Sequence, residues 1–184
     1  MAQVFNNPDG TAINTSGLMV PSTVTGGNKG VGTINVTQIY QNGTALAEYA
    51  AGNWTPVLGG TVATGTQTYS TQIGRFVRNG NLVTAWCQIV LSAKDGATSG
   101  DMQVTGLPAT ASAISGFNPY VPTFGGMWNF ASGYTFMTGF AIQGSTRVVI
   151  QQGGDNVPAI ALTASDFVGT STMLFCATYS TGLT

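Results

Sequence analysis

Arg78-Asn79-Gly80-Asn81, running into Leu82-Val83-Thr84-Ala85-Trp86-Cys87-Gln88-Ile89-Val90-Leu91, is the stretch that decides the fold of this chain. The Asn-Gly pair favours a type I′ turn, because both central residues can take positive φ, and it lies between two strand-like runs. In the second run the odd positions Val83, Ala85, Cys87, Ile89 and Leu91 are all apolar, whereas Thr84 and Gln88 interrupt the even positions beside Leu82, Trp86 and Val90. One face of this strand is therefore read as core and the other as half-covered.

The same grammar continues downstream. Lys94 to Gly100 is a polar loop leading into a strand Asp101–Thr105, which Gly106-Leu107-Pro108 ends. Tyr134 to Gln143 sets Tyr134, Phe136, Phe140 and Ile142 against Thr135, Met137, Gly139 and Ala141, and Gly144-Ser145 predicts a type II′ hairpin into Thr146–Gln151. A run Ser171–Tyr179 closes the series. Short strands spaced by Gly-rich turns with almost no helix predict an all-β, antiparallel β-sandwich over 54–184, with barrel closure as the alternative. Residues 1–53 read differently: β-prone fragments between turn signals such as Asn6-Asn7-Pro8-Asp9-Gly10 and Gly26-Gly27-Asn28-Lys29-Gly30, too poor in large apolar groups to fold alone. They are expected to form an extended arm ordered by partners. Thr44 to Ala51 is its best helix candidate, capped by Thr44 and stopped by Gly52.

Composition narrows the function classes. Of 184 residues five are basic, six acidic and none histidine, so 6% are charged against roughly 25% in an ordinary soluble domain. Apolar content is 43% and mean hydropathy is positive. Such a surface suits a subunit of a symmetric assembly, where copies of the chain or a larger particle cover much of it. A net charge of −1 offers no footprint for nucleic acid or an anionic membrane. No run approaches the roughly 18 apolar residues of a membrane helix, and Met1 to Asn6 lacks the basic and apolar regions of a signal peptide, so synthesis in a cytoplasm is expected.

Catalytic chemistry has little to work with. General acid–base work would fall to Asp9, Glu48, Asp95, Asp101, Asp155 and Asp166, and most of these sit in turn contexts where aspartate caps backbone N–H groups. Asp95 and Asp101 are the one close carboxylate pair, a weak glycosidase signal. Cys87 and Cys176 lie in apolar runs and read as small buried hydrophobes, a disulfide between neighbouring strands being open in an oxidising setting. Two thiols without histidine cannot make a metal site, and Gly26 to Gly30 lacks the Lys-Ser/Thr ending of a phosphate loop, so no cofactor is expected. What remains is recognition. The stretch Tyr120 to Tyr134 interleaves aromatics with glycines and amides, which suits sugar rings, although most of these rings are read as core. Trp128, Asn129, Ser132 and Tyr134 flank a Gly-containing turn and are the receptor candidates, a site that would respond weakly to salt.

Three stretches, Gly52 to Thr61, Thr68 to Val83 and Gly100 to Pro108, followed by Leu162 to Phe167 and Leu174 to Tyr179, resemble in their order the C-terminal head domains of tailed-bacteriophage fibre proteins. The likeness covers about residues 52–180. It implies a trimeric β-sandwich adhesin, with no receptor residues carried over because heads vary in their loops. Only about fifty residues precede the head, which implies a short fibre or decoration on the capsid, or a baseplate adapter, in place of a long tail fibre. The expected protein is thus a non-enzymatic virion subunit: a homotrimer held to other virion proteins by its arm and facing a host-surface glycan. Ile34, Val36, Ile39 and Leu46 are expected to turn toward the trimer axis. A capsid decoration protein that stabilises the shell is the alternative, and a glycan depolymerase the more distant one.

Overall fold

The computed structural model describes residues 4–6, 12–14, 40–41, 44–45, 49–113, 122–130, 136–154 and 157–182. The chain divides into two compact units, Met1–Leu46 and Ala47–Thr184. In the first, β1 (Val4–Asn6) pairs antiparallel with β2 (Ala12–Asn14), and β3 (Tyr40–Gln41) pairs with β4 (Thr44–Ala45). The axis candidates Ile34, Val36, Ile39 and Leu46 lie outside the described residues, as do Ser132 and Tyr134.

The second unit begins with β5 (Tyr49–Trp54), so the expected helix over Thr44–Ala51 is replaced by strand at both of its described ends. A two-turn helix is marginal in water. As a strand the segment gains a six-residue ladder against β7 (Thr68–Asn79), with Trp54 opposite Gly74 and Gly52 opposite Phe76. Each ring covers its glycine: a Cβ on Gly74 would sit 2.7 Å from the Trp54 indole, and one on Gly52 3.0 Å from the Phe76 ring.

After β6 (Val57–Gly60) and β7 comes β8 (Leu82–Ala93). The β7–β8 hairpin holds, with a different turn from that expected. Asn79 pairs with Leu82, leaving Gly80 and Asn81 as the two-residue loop. Gly80 alone has positive φ, 58°, the type II′ pattern with glycine at the first central position. Arg78 Nε closes the corner by donating to the Gly80 carbonyl, 2.7 Å.

The remaining strands are β9 (Met102–Thr105), β10 (Thr123–Phe130), β11 (Phe136–Ala141), β12 (Arg147–Gly154), β13 (Val157–Ala161) and β14 (Phe167–Ser180). They form two antiparallel sheets, one ordered β10-β14-β8-β7-β5 and the other β11-β12-β9-β6 with β13 beside β12. Among the described residues no strand of one sheet pairs with the other, which makes the domain a sandwich and not a closed barrel. The β11–β12 hairpin forms as expected, but its turn is Ile142–Ser145, with Ser145 N donating to Ile142 O at 3.2 Å. Gly144, at φ 61°, is the third turn residue, whereas type II′ requires it second.

Alternation sets the core. The odd residues of β8 from Val83 to Leu91 and of β14 from Ser171 to Tyr179, including Val83, Ile89, Met173 and Tyr179, are buried against Leu58, Met102, Val104, Val148 and Ile150 of the facing sheet. In β11 the small set Gly139 and Ala141 faces inward while Phe136 is exposed, because their partners Ile150 and Val148 already fill that layer. Tyr69 ties the two sheets together, Leu58 N donating to its Oη (3.0 Å), and Tyr179 holds the segment after β9, Ala109 N donating to its Oη (3.2 Å). Burial raises the pKa of both phenols, that of Tyr179 to about 12.

Candidate functional site: the outer face of the five-stranded sheet

Directly paired residues on antiparallel strands project to the same side. The register therefore assembles an outer face from distant parts of the chain. One row reads Thr123, Cys176, Trp86, Arg75 and Asn53 across β10, β14, β8, β7 and β5. The next reads Gly126, Leu174, Gln88 and Ile73. Between them lies a groove of about 460 Å³ lined by Ile73, Arg75, Trp86, Gln88, Thr123 and Leu174. Of the nine large apolar residues exposed among the described ones, six belong to this face: Tyr49, Ile73, Leu82, Trp86, Trp128 and Val168. A concentration of exposed apolar groups on one surface marks a binding face, whereas scattered ones do not.

The groove is held from behind by the core. Trp54 Nε1 is shared between the carbonyls of Arg75 and Trp86, 3.1 Å to each, so a buried indole fixes the backbone of the two residues whose side chains flank the groove. On the surface Arg75 Nη1 donates to Asn53 Oδ1 at 2.6 Å. That partner is neutral, so the guanidinium charge is not cancelled there. The floor opens toward β10 at Gly125, where a Cβ would meet Leu174 only at an ordinary 3.9 Å.

Trp128 belongs to the same face. It lies within β10, 55% exposed, and its ring folds back over Gly126, where a Cβ would come within 2.4 Å of it. Phe136 covers Gly153 in the same way on the other sheet. Asn129 takes a structural part: at φ 59° it is the one non-glycine with positive φ among the described residues, at the bulge between Trp128 and Phe130. Its Nδ2 donates to Thr170 O (3.0 Å), and its carbonyl accepts from Ser171 Oγ (2.7 Å). Phe124 turns inward and packs on Phe175, ring centroids 5.8 Å apart.

The two cysteines are free and face opposite sides of the sheet. Cys87 pairs with Phe175 and is buried; Cys176 pairs with Trp86 and lies on the outer face. A one-residue offset between adjacent strands thus rules out a disulfide between them. Burial pushes both thiols up, so neither is a ready thiolate.

Two carboxylates, Asp95 and Asp166, serve the backbone. Asp95 accepts from Ala97 N (2.9 Å) and Thr66 N (2.7 Å), which holds its carboxyl below the usual range. Asp166 closes a capping box with Thr163 over the short 3₁₀ turn Ala164–Asp166. Lys94, at the head of the same loop as Asp95, donates to Ala164 O and lies over the Phe167 ring at 4.7 Å. Among the described residues no three metal-ligating side chains cluster.

No protein-family model matches the chain, and comparison with curated proteins finds no match. Among solved structures the chain is similar to the Dettilon tailspike protein, with a TM-score of 0.57 and 17% identity over 72% of this chain. The match spans 24% of that tailspike. At the level of fold it bears out the resemblance read from residues 52–180: a β-sandwich of a kind that a tailspike also contains.

Proposed function

We propose that this chain is a bacteriophage virion subunit, one of three copies in a short fibre or spike whose sandwich meets the host surface. Its N-terminal segment docks on the particle, the receptor is a surface glycan, and the chain binds without cleaving. The observation that carries the reading is the sandwich shared with a tailspike protein. Sparsely charged, aromatic-bearing surface on that sandwich supports recognition of sugars, since ring faces stack on pyranoses and neutral amides and hydroxyls bond to their oxygens. The purified chain is expected to compete with the parent particle for adsorption to susceptible cells, to leave the length of the surface polysaccharide unchanged, and to sediment as a trimer. Adsorption unaffected by saturating protein, with particles that break on deletion of the gene, would assign it instead to shell decoration.

A further inference from the structure

We infer that the groove between Trp86 and Gly125 on the outer face of the five-stranded sheet is a binding site for an acidic saccharide, one whose sugar ring carries a carboxylate. The inference rests on the receptor-binding reading above and names its site. Charge carries it. Across β5, β7, β8, β14 and β10 the outward positions are apolar, hydroxyl or amide, and Arg75 is the one ion among them; among the described residues no acidic side chain shares the face. A surface made only to be covered by another copy gains nothing from one cation without a counter-ion, because its desolvation is not repaid. A ligand carboxylate supplies that counter-ion. Arg75 and Trp86 are direct cross-strand partners, so guanidinium and indole rise side by side. An acidic pyranose stacked on the exposed Trp86 ring brings its carboxylate to the guanidinium, which offers a planar fork of donors. Gln88 and Thr123 supply neutral groups for the ring hydroxyls, and Leu174 forms an apolar floor. The groove volume of about 460 Å³ falls in the range of small-ligand sites, roughly 300–1,000 Å³.

Gly125 provides a clean way to close the site. Its φ is not in the left-handed region and a Cβ there has room, so Gly125→Leu fills the groove without disturbing the strand. The experiment applies the full chain to an array of uronic-acid and sialic-acid oligosaccharides and their neutral counterparts, beside Arg75→Gln, Trp86→Ala and Gly125→Leu, each checked for an unchanged denaturation midpoint and sedimentation coefficient. The wild type is expected on acidic glycans in preference to neutral ones, with retention falling as salt rises, and each variant is expected to lose at least about tenfold, the cost of one charge-assisted contact. Salt dependence separates this groove from a site built of neutral groups. Equal retention of wild type and all three variants overturns the inference and leaves the receptor reading standing elsewhere on the head. Variants that sediment as smaller species overturn it in favour of a second copy in the groove. Wild type retained by no glycan overturns both the inference and the glycan reading.

Discussion

The two faces of the five-stranded sheet present the same residue types to opposite fates. Trp54 on the inner face is 8% exposed and both its ring and its N–H are engaged; Trp86, attached to one of the carbonyls that Trp54 binds, is 45% exposed on the outer face. Aromatic rings cover glycines on both sides of the sandwich, Trp54 on Gly74 and Phe76 on Gly52 within, Trp128 on Gly126 without. The inner rings are fixed by a second sheet, whereas the outer rings cover a glycine and stay open to solvent. The same local device builds a core on one side and an adhesive surface on the other.

That contrast is easiest to break at the tryptophans. Trp54→Ala is expected to cost about 3–5 kcal/mol by denaturant unfolding, and Trp86→Ala below about 1 kcal/mol. Equal losses would mean that the outer face is covered in solution. Glycines give the next largest difference. Gly74→Ala drives a Cβ to 2.5 Å from Trp54 O and should cost about 1–3 kcal/mol, whereas Gly125→Ala has room and should be neutral or stabilise by about 0.4–1 kcal/mol. Thermal melts of the pair check this.

Titration sharpens the comparison from both ends of the pH scale. Tyr179, buried, has its ionisation raised from 10.0 to about 12, so the unfolded chain releases this proton first. Its contribution is complete below pH 10 and is lost as pH climbs toward 12. The denaturation midpoint should fall across that window, and less steeply in Tyr179→Phe, which also costs about 1–3 kcal/mol by stranding the Ala109 N–H. Asp95 has the opposite sign: its carboxyl lies below the usual range, so what it contributes is present above that range and is lost as pH falls through the lowered value. Its group is exposed, and the smallest effect is expected here: faster amide exchange at Thr66 and Ala97 in acid with an unchanged midpoint.

Much of this architecture is legible in the sequence, for reasons that also set the limit. Alternation marked the core face of β8, because a period of two is a local property of the chain. The hairpin at Gly80 was legible too, although whether glycine stands first or second in the loop depends on register and not on composition. Thr44–Ala51 misled because Ala, Leu and Glu favour helix locally, while the ladder that captures Tyr49–Trp54 comes from residues about twenty-five positions on. The groove was invisible for the same reason: Arg75, Trp86, Thr123 and Leu174 meet only through the pairing of four strands. Sequence reading found Trp128 and placed it by a turn; its place is a sheet face.

Residues Leu82–Val90 find their second neighbour, Thr172–Ser180, only about ninety positions later. During synthesis at roughly 5–20 residues per second, β8 therefore waits on the order of 5–20 s with one edge bare. Its bare edge is flanked by the apolar side chains that later become core, which makes the interval before β14 emerges the time of greatest exposure to aggregation and to chaperones. β14, which fills the place between β8 and β10 in the finished sheet, is thus the last to arrive, and a ribosome that stalls short of it leaves a half-sheet with a sticky margin.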